Sequence, residues 1–398
     1  MNGLINENSI KFKTQKRMNM LKLLTKNLQQ FHVTNSSKIS GRLLSVDALR
    51  GFDMFWIMGG DLIFKSFDTI FHNSSTQWIA QQLDHVEWLG FQFYDIIMPL
   101  FLFIVGVAMP FSFKKRFSSG ASMSSTWKHI LKRVAILWLL GMMVQGNLLS
   151  YSWASFHFYS NTLQSIAAGY LIASILIIHF NVLWQIIGTV LLLLAYWLIM
   201  AFLPTPGGTG LYEPLNNVAL YIDKLILGAH QDGTTYSWIL SSLNFTATVM
   251  LGVFSGYILQ TSWKSTRKLL TLIVFAVICY FTAILWNYIH PIIKHIWTGS
   301  FVLYVGSFSI ALLIVFYFII DVLKFKLWSK FFVIIGSNAI VAYVAWHLFD
   351  FRNLSDIFTR GLEQYTGSWY NLISYTASFT AIFLILWYMN RKKIFIKV

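Results

Sequence analysis

An all-α polytopic membrane protein of about ten transmembrane helices is the fold that the sequence predicts, and three observations predict it. The 398 residues are 56% hydrophobic and 11% charged, with a mean hydropathy of +0.60. That leaves too little polar surface to cover a soluble globule of this length. Apolar runs long enough to cross a hydrocarbon layer of roughly 30 Å, at about 20 residues each as a helix, recur along the chain. Basic residues gather in alternate connections, with 24 Lys and Arg in one set and 4 in the other.

In chain order the expected spans are 45–67, 93–113, 130–146, 162–178, 183–203, 243–259, 269–289, 301–322, 331–349 and 372–389. A continuous run such as 186–201 lacks the in-and-out alternation of a barrel strand, so the spans are helices. The crowded connections hold Lys and Arg before Ser45, from Lys114 to Arg133, from Lys264 to Lys268, from Lys324 to Lys330 and after Met389. The sparse ones hold Lys224, Lys294, Arg352 and Arg360. Positive charge is retained on the cytoplasmic side, which places both termini there; the expected location is the cytoplasmic (inner) membrane.

Residues 1–41 have no apolar core of signal-peptide length and are expected to form a basic cytoplasmic tail, leaving 42–398 as one transmembrane domain. The stretch 10–31 suits either an anionic lipid surface or a disordered tail. The net charge of +15 does not imply nucleic acid, because no basic patch is interleaved with a folded soluble surface. Cys279 is the single cysteine and lies in an apolar span, so neither an intramolecular disulfide nor a thiolate metal site is expected.

Function is written where the apolar pattern is broken. The first span carries Asp47, Arg50 and Asp61, the following loop carries Asp84, His85 and Glu87, and the second span opens at Asp95. Ionisable groups at membrane depth are costly and mark functional paths. With the N-terminus inside, 68–92 is an extracytoplasmic loop, so His85 and its acidic neighbours face outward. Arg50, Lys132 and Arg133 lie toward the inner end. The imidazole of His85 is a residue type that can accept a proton, so it can act as a base, with Asp61, Asp84 or Asp95 as ring partner. Arg133, beside Lys132 at the start of a span, has the planar fork that suits phosphate. Arg50 follows Asp47 by three residues, which fits either a helix pair or a contact with an anionic ligand. His347 has a depth similar to that of His85, but metal-ligand spacing is absent and no metal is expected. Trp88 is a candidate for acceptor contact, while the other tryptophans form interfacial belts. The loop 204–238 is an expected outer cap, and its Gly207-Gly208-Thr209-Gly210 is a turn rather than a nucleotide fingerprint.

These residues resemble the heparan-α-glucosaminide N-acetyltransferase family, including its bacterial homologues. The resemblance runs through Ser45-Val46-Asp47-Ala48-Leu49-Arg50-Gly51, His85-Val86-Glu87-Trp88-Leu89-Gly90, Asp95-Ile96-Ile97-Met98-Pro99-Leu100-Phe101 and Leu163-Gln164-Ser165-Ile166. It continues in the segment from Pro291 to Val302 and in Gly336-Ser337-Asn338-Ala339-Ile340-Val341-Ala342-Tyr343. It implies an acetyltransferase (EC 2.3.1 type) that moves the acetyl group of cytoplasmic acetyl-CoA, a cosubstrate, onto an extracytoplasmic amino sugar or glycan. By the same resemblance the family's catalytic histidine falls on His85, its basic residue at the start of the third span on Arg133, and its late Asn and His positions on Asn338 and His347; from the residues themselves Asp61 and Asp95 are expected to support the histidine, and Arg50 and Lys132 to join Arg133 and Asn338 as cofactor contacts. Asp84, Glu87 and Trp88, placed outside by the topology, and His347 are expected to line the acceptor side. The chain departs from the family at Asp61, where an asparagine is common, and in 158–165, where two arginines are missing. His85 can act as general base in direct transfer or as a nucleophile through acetyl-imidazole. N- and O-acetylation both remain open, as does a homodimer, and the rival class is a multi-pass transporter or channel for a small solute or ion.

Overall fold

The computed structural model describes residues 43–396, so the expected tail at 1–41 lies outside the described residues. The chain enters α1 (Leu44–Phe55), passes a π-turn into α2 (Asp61–Phe71), and forms a short α3 (Ser74–Gln82). A 3-10 turn at Phe93–Ile96 opens α4 (Ile97–Ser118), followed by α5 (Met123–Val144), α6 (Thr162–His179) and α7 (Val182–Phe202). The short α8 (Val218–Leu227) precedes α9 (Ser241–Gln260), α10 (Ser265–Asn287) and α11 (Gly299–Phe316). Last come α12 (Ser329–Ser337), α13 (Ala339–Leu348), α14 (Phe351–Thr359) and α15 (Tyr370–Arg391). Polar side chains start the long helices: Ser122, Asn161, Asn181 and Thr298 each accept a backbone N–H of the first turn, which satisfies donors that the helix leaves open.

Among the described residues, seven helices are long and apolar enough to cross a membrane, or eight if α12 and α13, bent by 73°, count as one broken span. The protein is therefore a helical, multi-pass membrane protein, with fewer supported spans than the ten expected. The shortfall has two sources. The span expected at 45–67 is broken at Gly59 (φ +88), where a Cβ would meet the Trp346 ring at 2.7 Å, so only glycine fits both the left-handed backbone and the close approach. The one expected at 130–146 forms α5, but that helix carries Lys128, Lys132 and Arg133 in its first half.

The bundle is organised around α4 and α9, whose spans are 78% and 72% buried, whereas those of α7 and α10 are 22% and 17% buried and present aliphatic side chains outward. Close approach of α4 and α9 depends on glycine. A Cβ at Gly106 would overlap the Val249 carbonyl, and one at Gly252 the Phe103 carbonyl. Gly252 and Gly256 form the small-xxx-small pattern that lets membrane helices touch backbone to backbone.

Candidate functional site

Two loops at one end of the bundle are stitched together over more than 200 positions of sequence. The first, between α3 and α4, carries His85; the second, between α10 and α11, carries Lys294. Leu89 pairs with Ile293 in an isolated antiparallel bridge, and the Gly90 N–H donates to the Ile292 carbonyl at 3.1 Å. The second loop is itself held from α9: Ser241 Oγ donates to the Ile296 carbonyl at 3.0 Å and Asn244 Nδ2 to the Trp297 carbonyl at 2.6 Å. Thr298 Oγ1 accepts the Ile293 N–H and donates to the Pro291 carbonyl. Such pairing satisfies backbone groups of a buried loop that would otherwise be costly.

This stitching brings three side chains together. Asp95 is fully buried at the start of α4. Its Oδ1 lies 2.9 Å from His85 Nδ1 and 3.0 Å from Lys294 Nζ, and its Oδ2 accepts the Gln92 N–H at 2.9 Å. Lys294 Nζ also lies 2.7 Å from His85 Nδ1. The Lys294 side chain is 4% exposed and that of His85 45%, so a buried ion pair sits beneath an accessible imidazole. Burial pulls the Lys294 ammonium down to about 8, against the opposing pull of Asp95. The imidazole rests on the Tyr94 ring, with centroids 4.9 Å apart.

The neighbouring ionisable groups pair elsewhere. Asp84 binds Lys65 at 2.7 Å, and Lys65 also reaches Asp61 at 3.5 Å. Of the three carboxylates considered as ring partners, Asp95 alone has a hydrogen bond to His85. Glu87 is exposed. Trp88 donates its indole N–H to the Tyr212 carbonyl at 2.7 Å, and Tyr212 Oη is 2.8 Å from His290 Nδ1; the loop after α7 thus closes onto both site loops. His290 Nε2 accepts the Gly299 N–H, and burial lowers this imidazole to about 3. His295 stacks on Tyr236 at 4.2 Å and is lowered to about 4, by burial first and Lys294 second.

The basic residues expected to meet a cofactor lie apart from this cluster. From Asp95, α4 runs about 33 Å at 1.5 Å per residue before α5 returns. Arg133, ten residues into α5, stacks its guanidinium 4.4 Å over Tyr170 and has a buried Nε with no hydrogen-bond partner. Lys132 is exposed. Arg50 pairs with Asp47 at 3.4 Å. Asn338, at the α12–α13 bend, donates to the Ile394 carbonyl and accepts the Ile396 N–H, each at 3.0 Å. His347 donates from Nδ1 to the Tyr343 carbonyl at 2.8 Å. Among the described residues no group of three or more His, Cys, Asp or Glu could hold a metal ion.

Sequence reasoning passed over two residues. Lys294 was legible only as a lone cation in the apolar run Ile292-Ile293-Lys294-His295-Ile296-Trp297. Asp53 is fully buried in α1, and neither of its oxygens has a hydrogen-bond partner.

Fold and site together define a multi-pass helical membrane protein with an Asp–Lys ion pair buried under a solvent-facing histidine. The chain is similar to heparan-alpha-glucosaminide N-acetyltransferase of Mus musculus, at 24% identity over 326 residues, or 67% of this chain and 49% of that protein. It is also 24% identical to the Homo sapiens protein of the same name over 374 residues, covering 79% of this chain and 54% of the relative. The chain thus spans about half the length of the curated relatives it matches. No family model matches it.

Proposed function

We propose that the protein is a membrane acetyltransferase, moving the acetyl group of cytoplasmic acetyl-CoA onto the amine or hydroxyl of an extracytoplasmic amino sugar or glycan. The reading rests above all on the His85–Asp95–Lys294 arrangement, and the relatives' printed activity agrees with it. In this reading 42–398 is one catalytic domain in the cytoplasmic membrane, both termini are cytoplasmic, and the lysine and arginine asymmetry supports that orientation. Arg133, with Lys132 and Arg50, receives the phosphates of CoA on the inner side, and the acyl end reaches toward His85.

The chemistry follows from which group occupies Nδ1. Protonated Lys294 donates to Nδ1 and leaves the imidazole proton on Nε2. Neutral Lys294 lets Nδ1–H donate to Asp95, so Nε2 presents its lone pair to the acceptor. The acceptor nitrogen then forms a bond to the thioester carbon, His85 takes its proton, the carbon–sulfur bond breaks, and the proton passes to the departing thiolate. Asp95 fixes the ring and stabilises the imidazolium, a contribution comparable to general-base catalysis at about 10²–10⁴ in rate. The rate is therefore expected to rise as pH passes through about 8, where Lys294 gives up its proton. Lys294→Met should flatten that limb of the pH–rate profile, and a wild-type limb persisting in the variant would remove Lys294 from this role.

The decisive experiment uses proteoliposomes supplied with acetyl-labelled acetyl-CoA on one side and glucosamine on the other. Labelled amino sugar is expected from the wild type; His85→Ala should lose it while keeping CoA binding, and Arg133→Ala should weaken CoA binding first. A second reading, movement of an ion or solute, is favoured by Asp53, because a buried carboxylate without hydrogen-bond donors is costly unless it serves a passing ligand. Coupled flux that survives His85→Ala, with no labelled sugar in any arm, would establish transport instead.

A further inference from the structure

The segment that follows α8 runs alongside the loop of Lys294 and fixes His295 from several directions. The Ser237 N–H donates to the His295 carbonyl at 3.0 Å, and Thr235 Oγ1 lies 2.6 Å from His295 Nδ1. The Tyr236 ring stacks on the imidazole, 15° from parallel, at a centroid distance of 4.2 Å. Trp88, three residues beyond His85, meets the same imidazole edge-on at 5.3 Å. His295 lies close enough to the reactive cluster that the charges of Lys294, His85 and Asp95 all act on it.

Acyl transfer gathers negative charge on the thioester carbonyl oxygen, and donors already in place for that charge supply much of the catalysis. Most donors around His85 are committed elsewhere. Lys294 Nζ is buried against Asp95 and His85. The Trp88 indole N–H goes to the Tyr212 carbonyl, the Gln92 and Val86 N–H groups go to Asp95, and Lys65 goes to Asp84 and Asp61. His295 is half-buried, and its Nε2 is accessible and has no hydrogen-bond partner among the described residues. Burial and the Lys294 charge hold this imidazole down at about 4, so near neutral pH it is uncharged and carries a single N–H. A neutral imidazole can polarise a carbonyl in this way. The Tyr236 hydroxyl, pushed up to about 12 by burial, is the other uncommitted donor.

We propose that His295 is a catalytic hydrogen-bond donor of the acetyl transfer, with its Nε2–H directed at the oxygen of the thioester carbonyl. The Thr235 hydroxyl donates to Nδ1, which leaves the imidazole proton on Nε2. As the acceptor nitrogen bonds to the carbonyl carbon, the C=O π pair moves onto oxygen and is held there by this N–H. The pair returns as the carbon–sulfur bond breaks, while His85 takes the acceptor's proton and passes it to the departing thiolate. His295 itself neither gains nor loses a proton. The role rests on the acetyl-transfer reading, and the test separates the two. It uses the full chain in proteoliposomes, with labelled acetyl-CoA and glucosamine. His295→Leu should lower kcat about 10²–10³-fold, as for loss of one oxyanion donor, with KM for both substrates within about threefold of the wild type. His295→Gln, which brings an amide N–H to the region of Nε2, should recover about tenfold of that loss. Tyr236→Phe keeps the stacked ring and should stay within about threefold of the wild type. The dithioester analogue of acetyl-CoA separates a lost donor from a disturbed loop, because its thiocarbonyl sulfur accepts hydrogen bonds weakly. The preference for oxygen over sulfur should fall about tenfold or more from the wild type to His295→Leu. An active wild type whose rate is indifferent to His295→Leu, or a variant that keeps the full oxygen preference, overturns this role and leaves acetyl transfer standing. A loss in Tyr236→Phe as large as that in His295→Leu also overturns it, by moving the donor to the phenol. No labelled sugar from the wild type would remove the acetyl-transfer reading, and the role with it.

Discussion

Asp95→Asn is expected to cost about three orders of magnitude in transfer rate and about 3 kcal/mol in stability, two losses with separate origins. Asparagine keeps the shape of the side chain but no longer stabilises a cationic imidazole, which accounts for the rate. The stability loss comes from Lys294, whose side chain is 4% exposed: without its counter-charge it must either stay a buried cation or give up its proton, and both cost folding free energy. Removing both members separates the effects. Asp95→Asn with Lys294→Met should recover most of the stability, because no buried charge is stranded, and none of the activity. Thermal unfolding in detergent and the labelled-acetyl assay give the two readouts. A double variant as unstable as the single one would mean that the ion pair does not carry the cost assigned to it.

Gly252→Leu is expected to be the most damaging apolar substitution in the bundle. Even the first carbon of a side chain at Gly252 overlaps the Phe103 carbonyl, and the reciprocal contact at Gly106 overlaps that of Val249. Backbone cannot give way as a flexible side chain can, so α4 and α9 must move apart, at about 3 kcal/mol or more. The displacement reaches the site through covalent structure. Asp95 opens the segment that becomes α4, and Ser241 and Asn244 of α9 hold the loop of Lys294 by its carbonyls. Gly252→Ala, a milder change, should therefore lower both melting temperature and transfer rate. A variant that melts like the wild type would show that the helices are not spaced by these glycines.

Much of this arrangement was legible in the sequence, and the illegible parts share a cause. Continuous apolar runs such as those of α7 and α10 announce themselves because lipid-facing helices carry no competing signal. The break at Gly59 depends on Trp346 arriving from a distant helix, and the bend at Asn338 has no proline to mark it. Within the site, His85 and Asp95 are ten residues apart and legible as possible partners, but Asp61 and Asp84 have equal standing in the sequence; it is the fold that engages both of them with Lys65. Lys294 lies 209 residues from His85. Its approach depends on a backbone bridge between two loops, which no local pattern encodes.

The amide of Asn338 has a consequence for how the end of the chain can vary. Both of its hydrogen bonds are to main-chain atoms of positions 394 and 396, so the attachment is indifferent to which side chains stand there. Proline at 396 is the exception, since it has no N–H to offer. The last helix is thereby latched to the broken one by a contact that sequence drift leaves untouched, and conservation would be a poor guide to its importance.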